Sequence, residues 1–197
     1  MKLLFATTNK SKIDRFKDKL KKYNIELLSL DNFEKIDVEE SGKTAIENAL
    51  IKARAYYEKY NIPTLAMDDT LYFDNIDSSL QPGLYVRRVN KKVLNDEEMI
   101  DYYSNLAKKY GKITARWIYG IALIRNNKEY TYSFSKEDFY IVDKRSDKIH
   151  IGYPLDSISI NKKLNKYFTD ITEEEKELIK EDETDVIKFI VNSMEVL

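Results

Sequence analysis

Apolar and polar residues run along this chain in blocks whose period changes, and the changes mark its elements. Lys2 to Thr7 (KLLFAT) is a short apolar run suited to a buried strand, and it ends in the polar cluster Thr7-Thr-Asn-Lys-Ser-Lys12. Ile13, Phe16 and Leu20 follow at i, i+3 and i+7, a helical spacing, so the chain opens strand–turn–helix. Ile25 to Leu30 (IELLSL) predicts a second strand, and the acidic stretch Asp31 to Gly42 a loop. Thr44-Ala-Ile-Glu47 has the capping-box form, and behind it Ile46, Ala49, Leu50, Ala53, Tyr57 and Tyr60 share one helical face. Thr64 to Met67 predicts a strand running into Asp68-Asp69, with Leu71 to Phe73 available to continue it.

The second half gives equally distinct patterns. Asn95 with Glu98 caps a helix whose apolar face is Met99, Ile100, Tyr103, Leu106, Ala107 and Tyr110, and Gly111 sits where a left-handed terminal residue belongs. Ile113 to Ile124 and Tyr130 to Val142 are rich in aromatic and β-branched residues and meet around Asn126-Asn127, which predicts an antiparallel hairpin. A short helix is expected near Asn161 to Tyr167. A last one is expected from about Glu183, with Val186, Ile187, Phe189, Ile190 and Met194 on its apolar side. No repeat, linker or low-complexity tract divides the chain, so the pattern predicts one α/β domain over residues 1–197 with a mixed sheet flanked by helices.

Composition narrows the chemistry. With no cysteine, disulfide scaffolds, thiol nucleophiles, zinc ribbons and iron–sulfur clusters drop out. A single histidine, His150, argues against His-based metal cages and Ser-His-Asp triads. Lysine and arginine number 33 against 34 acids, so no overall field draws the chain to nucleic acid or an anionic membrane. The longest apolar runs are too short for a membrane span, which makes a soluble cytoplasmic protein the expectation.

Three constellations remain. A strand turning into a helix presents free N–H groups and the positive end of the helix dipole, and Thr7, Asn9 and Lys12 add a hydroxyl, an amide and an ammonium there. The same residues also suit a helix N-cap by Thr8 or Asn9. Asn48 and Lys52, four residues apart, share a helix face that could equally be its wet side, and Glu40 gains meaning if the acidic loop turns back toward them. Asp68-Asp69 stand at the expected end of an apolar strand, where open α/β sheets bind ligands, although an Asx turn would use the pair too. Taken together, donors for phosphate oxygens and carboxylates for a bridging Mg²⁺ are the equipment of phosphoryl chemistry.

Order and spacing then add a resemblance. ATTNKSK, EESGKTAIENALIKAR, PTLAMDDTLYFD and QPGLYVRR resemble the successive signatures of the inosine triphosphate pyrophosphatase family, which removes non-canonical purine nucleotides. The resemblance implies an elongated mixed α/β fold of two lobes with a central substrate cleft, commonly a homodimer. It also implies Mg²⁺-dependent hydrolysis of a nucleoside triphosphate to a monophosphate and pyrophosphate. Position by position it gives Thr7, Asn9 and Lys12 to the phosphate-binding turn, where Thr8 is a further candidate substrate contact, Glu40 to the metal, and Lys52 to a phosphate contact in catalysis. Asp69 becomes general base and metal ligand with Asp68 beside it as a further metal candidate, while Thr70 and Arg88 become substrate contacts; Asn48, from its spacing with Lys52, is a candidate substrate contact too.

The second half departs from the family pattern. The FG[YW]DP segment that helps hold the base corresponds to His150-Ile-Gly-Tyr-Pro154, which keeps Gly152 and Tyr153 but has Pro154 in place of the acid. Lys176 matches the family's lysine ahead of S-H-R, yet the triplet falls on Lys180-Glu181-Asp182. Acceptors thus stand where donors would read a purine carbonyl, which favours a base with donors on that edge or a loosely read one. A non-catalytic nucleotide-binding module on the same scaffold is the competing class. A nucleic-acid binder is disfavoured because no basic stripe interleaves with the tyrosines.

Overall fold

The computed structural model describes residues 1–136, 139–179 and 182–195. The first half contains β1 (Lys2–Phe5), α1 (Lys10–Lys21), β2 (Glu26–Leu28), α2 (Ala45–Tyr60) and β3 (Thr64–Phe73). Then come β4 (Arg88–Val89), β5 (Lys92–Val93), α3 (Asp96–Tyr110), β6 (Ile113–Arg125), β7 (Lys128–Ser135) and β8 (Phe139–Ile141). The tail holds β9 (Ser159–Asn161), β10 (Lys166–Tyr167), α4 (Glu173–Leu178) and α5 (Thr184–Ser193). Contacts divide the chain into a first unit (Met1–Asp69, Tyr119–Phe134, Asp182–Leu197) and a second (Thr70–Ile118, Ser135–Glu181). Long strands β3 and β6 contribute residues to both.

In the first unit the strand order is β7-β6-β3-β1-β2, with β1 parallel to both β2 and β3. The β6–β7 connection is Asn126-Asn127, both at positive φ (51° and 57°), as a two-residue hairpin with right-handed strand twist requires. Helix α2 packs on this sheet through small residues. Ala49 and Ala53 are fully buried with Ala66 and Ala122. The buried stripe is Ala45, Asn48, Ala49, Ala53 and Tyr56, so it is narrower than the predicted face, with Ile46, Leu50, Tyr57 and Tyr60 on its flanks. Gly120 makes the close approach possible: a Cβ there would lie 2.3 Å from Ile46 N and 2.4 Å from the carbonyl carbon of Ala45.

In the second unit the order is β10-β9-β8-β6-β3, with β6/β8, β8/β9 and β9/β10 antiparallel. The sheet is therefore mixed, as expected. Its core gathers Phe73, Ile100, Tyr103, Ala115, Ile141 and Ile158. Burial pushes the Tyr103 phenol far above its usual range, and its hydroxyl donates to the Val86 carbonyl at 2.8 Å. Asn95 and Glu98 form the full reciprocal capping box on α3.

Several expectations need correction. Residues 161–167 form β9, a turn and β10 rather than a helix, because the Asn161 amide oxygen accepts from Lys163 and Leu164 N–H and Asn165 takes φ 52°. Tyr130 to Val142 is not one strand but β7 and β8. Gly111 has positive φ but an extended ψ (81°, −172°), so it does not make the left-handed cap. At the start of α2, Thr44 caps Glu47 N–H, but the Glu47 carboxylate accepts from Lys43 rather than from Thr44. Most consequential is β3: Asp68 and Asp69 lie inside a continuous ten-residue strand, not at its end. Among the described residues no helix is long and apolar enough to cross a membrane.

Candidate active site

Three segments distant in sequence meet in the first unit. Helix α1 begins at Asn9, whose side chain accepts from Lys12 N–H at 3.4 Å, and the Thr7 hydroxyl accepts from Asn9 N–H at 3.1 Å. The capping role foreseen for Thr8 or Asn9 thus belongs to Asn9, and Thr8 is exposed. No acid occupies the first turn of α1, which carries Lys10 and Lys12 instead. By contrast, α3 and α4 each begin with three acids. Cations at a helix N-terminus oppose its dipole by about 0.3–1 kcal/mol each. An anion placed there would relieve that opposition.

Lys12 reaches across to β3 and donates to Asp69 at 2.6 Å, with side-chain exposures of 22% and 30%. Neighbouring Asp68 accepts from the Asn48 amide at 3.0 Å. Asn48 is 3% exposed, and its oxygen accepts from Gly42 N–H at 2.8 Å. Both ends of this side chain are therefore committed, so it ties the loop before α2 to β3 instead of lying on a wet face. Gly42 is required at that turn, because a Cβ would stand 2.6 Å from the Asn48 oxygen. Lys52, one helical turn after Asn48, pairs with Glu40 at 2.6 Å, so the acidic loop does turn back toward α2.

Electrostatics follow from this packing. Burial pushes the Asp68 carboxyl up from the usual range; the Asn48 hydrogen bond and the charge of Lys52 oppose it, while Glu40 adds to it. A partly buried carboxylate raised by desolvation and by a neighbouring acid gains from a nearby cation. Among the described residues no three acidic or histidine side chains are already gathered as a metal cage. Glu40, Asp68 and Asp69 nevertheless suit Mg²⁺, a hard ion that usually takes one or two carboxylates together with substrate phosphates.

The remaining candidates lie in the second unit. Thr70 follows Asp69 along β3, and its hydroxyl donates to the Ile118 carbonyl at 3.3 Å. Arg88 is exposed, its guanidinium 5.6 Å from the Tyr85 ring. Tyr153 is 50% exposed and follows Gly152, which needs its positive φ of 82°. An acid missed in the sequence stands close by. Asp156 faces His150 Nδ1 at 3.0 Å; burial raises its carboxyl, and His150 and Lys176 oppose the rise. Tyr153, His150, Asp156 and Lys176 thus belong to one neighbourhood. Lys176 also pairs with Glu173 on α4 at 2.6 Å. Of the divergent triplet, Lys180 and Glu181 lie outside the described residues. Asp182 is exposed and accepts from Thr184 N–H at 2.8 Å, the local work of a helix cap.

Comparison with known proteins shows the family and the fold. The Ham1 family profile matches residues 3–184. The chain belongs to the Ham1 family. Among Ham1 relatives, a dITP/XTP pyrophosphatase of Thermoanaerobacter pseudethanolicus is 33% identical over 190 residues, covering 91% of this chain and 89% of that protein. One of Aquifex aeolicus is 51% identical over 88 residues, 45% of this chain and 42% of that protein. In structure, a Ham1 protein from Coxiella burnetii matches with a TM-score of 0.79 at 23% identity, covering 98% of each chain. That from Staphylococcus aureus matches at 0.76 and 23%, covering 98% of this chain and all of the other.

Proposed function

We propose that this chain is a nucleoside triphosphate pyrophosphatase, dependent on Mg²⁺, that splits the bond between the α and β phosphates. The observation that carries the reading is the Lys12–Asp69, Asn48–Asp68 and Lys52–Glu40 array, which sets cations, an amide and acids side by side in one unit. Each lysine is held by an acid that it can exchange for a phosphate oxygen. Thr7, Thr8, Asn9 and the N–H groups opening α1 supply neutral donors beside Lys12, the usual way a helix start receives phosphate. Glu40, Asp68 and Asp69 would hold Mg²⁺, which when bound supplies charge neutralisation to the phosphate oxygens.

The chain's own groups perform the rest. Asp69, released from Lys12, orients a water toward the α-phosphorus and accepts its proton. The new bond joins the water oxygen to that phosphorus, and the bond to the bridging oxygen breaks. Pyrophosphate leaves with that oxygen, its growing charge met by Lys12 and Lys52. Asn48 acts by fixing Asp68. The family resemblance supports Thr70, Arg88, Tyr153 and Lys176 of the second unit as further substrate contacts.

The named activity of the relatives supports dITP and XTP as first substrates. The family resemblance supports a homodimer that clears damaged nucleotides in the cytoplasm, without a nucleic-acid or membrane partner. Purified protein with Mg²⁺ and a panel of dITP, XTP, ITP and the canonical triphosphates tests the reading. Monophosphate and pyrophosphate in equal amounts are expected. Binding without turnover of any member would replace the enzyme with a nucleotide-binding module.

A further inference from the structure

Residues 34–42, between β2 and α2, form no helix or strand, yet one stripe of α2 holds them along its length. Asn48, Lys52, Tyr56 and Tyr60 stand four residues apart, one above another on the helix. The Tyr60 hydroxyl donates to the Glu34 carbonyl at 2.8 Å, and the Tyr56 hydroxyl accepts from Ile36 N–H at 3.1 Å. Lys52 then pairs with Glu40 at 2.6 Å, and the Asn48 oxygen accepts from Gly42 N–H at 2.8 Å. The segment thus runs antiparallel to α2 as a strap in a single register. Ile36 and Val38 are half-buried against the cluster that contains Ala49 and Ala53, while Asp37 and Glu39 are exposed. Alternate side chains therefore face the helix, and Glu40 falls on the same side as Ile36 and Val38.

Tyr56 is 4% exposed, with its ring in the core of the first unit. Its hydroxyl takes the Ile36 N–H, a donor that a strap without a ladder of its own must satisfy elsewhere. Glu40 is tied to α2 by the Lys52 ion pair. A divalent cation at Glu40 displaces the Lys52 ammonium, because like charges crowded on one carboxylate repel. That tie is then lost. The place of Glu40 comes to depend on the anchors that flank it, Tyr56 through Ile36 and Asn48 through Gly42.

We infer that Tyr56 is a positioning residue for Glu40, an inference that rests on the pyrophosphatase reading with Glu40 as a metal ligand. The hydroxyl fixes the register of the strap four residues before Glu40 and keeps the carboxylate in place when Lys52 gives it up. Such preorganisation spares the cost of ordering the strap at the moment of binding. Tyr56 thereby raises the affinity of the site for a divalent cation while touching neither the cation nor the substrate.

Titration of the protein with Mn²⁺, an ion that shares the preference of Mg²⁺ for oxygen ligands, tests this without chemistry when free Mn²⁺ is followed by electron paramagnetic resonance. Tyr56→Phe keeps the ring and removes only the hydroxyl. Its dissociation constant for Mn²⁺ should rise about fivefold, the equivalent of one hydrogen bond, with the number of sites unchanged. Tyr60→Phe removes the hydrogen bond upstream of Ile36 and should bind as wild type does. A purely structural role for Tyr56 would lower the melting temperature or the number of sites and leave the dissociation constant where it was, a result that overturns the inference. Equal weakening by both variants overturns it too, since the register would not be set at Ile36. If wild-type protein cleaves triphosphates while Tyr56→Phe binds Mn²⁺ normally, this inference alone fails. If the Tyr56→Phe shift appears but no triphosphate is cleaved, the pyrophosphatase reading alone fails. Absence of Mn²⁺ binding by wild type overturns the inference, and turnover then decides the pyrophosphatase reading separately.

Discussion

Replacing Gly120 by alanine tests whether close packing of α2 on β6 is what aligns the site. The added Cβ would lie 2.3 Å from Ile46 N, 2.4 Å from the Ala45 carbonyl carbon and 2.8 Å from its oxygen. All three are backbone atoms, so no rotamer change relieves the clash. Ordinary contact begins near 3.4 Å, which obliges the first turn of α2 and β6 to part by about 1 Å. Overpacking of this kind costs about 1–3 kcal/mol, and the widened gap also weakens contacts of Ala49 and Ala53 with Ala122. For a chain of this length that is a fall in melting temperature of about 2–12 °C. The same shift moves Asn48 and Lys52 against β3, and a 1 Å misplacement can reduce turnover about a hundredfold. Gly83→Ala serves as the control: its Cβ would meet open space, and only the φ of +56° opposes it, a cost of about 1 kcal/mol. Thermal unfolding followed by pyrophosphate release well below each melting temperature separates the two effects. Gly120→Ala with wild-type melting and wild-type turnover would refute the packing argument.

Other outcomes follow from single contacts. Asn48→Ala should lower stability by about 2–4 kcal/mol, since it orphans both the Gly42 N–H and the Asp68 carboxylate, and Asn48→Asp should be worse because it sets two acids together; equal melting of both variants and wild type would contradict this. His150→Ala removes the contact that opposes the rise of the Asp156 carboxyl. Stability from a carboxyl raised on folding is present below about pH 4 and is lost as pH climbs through the raised value. The variant should therefore match wild type in acid and fall behind toward neutrality, by about 0.5–1 kcal/mol after allowance for partial exposure, as read from melting temperature against pH. Arg54→Ala breaks a bidentate but exposed pair with Glu129 at 2.6 and 2.8 Å, and chemical denaturation should show a loss under about 1 kcal/mol that shrinks in salt.

Residue periodicity made α2, α3 and α5 legible, and the Asn126-Asn127 pair located the hairpin, because each signal is local. The continuity of β3 was legible only as an option, with Leu71 to Phe73 available to extend it. A polar Asp-Asp-Thr triplet reads as the end of an apolar strand, whereas ladder hydrogen bonds ignore side-chain polarity, and the acids find their partners in Lys12 and Asn48, far away in sequence. The same reason hid the burial of Asn48: its spacing with Lys52 marks a polar stripe, and only the fold shows a loop and a strand closing over it. Residues 161–167 misled because their apolar spacing is short and the Asn161 side chain takes the N–H groups that a helix would need. Gly120 gave a faint signal, a lone glycine inside a strand rich in β-branched and aromatic residues, whose meaning depends on a helix from elsewhere. Candidate site residues from Thr7 to Asp69 were read from motif order, and their pairing into alternating cations and acids is what the structure adds.

Hydrolysis of dITP in heavy-oxygen water, with the products resolved by phosphorus NMR and mass spectrometry, tests the central claim most directly. Water activated at Asp69 and aimed at the α-phosphorus predicts that the label enters the monophosphate, that pyrophosphate remains unlabelled, and that Asp69→Asn abolishes most of both. Label in the pyrophosphate, or release of orthophosphate with a diphosphate, would contradict it.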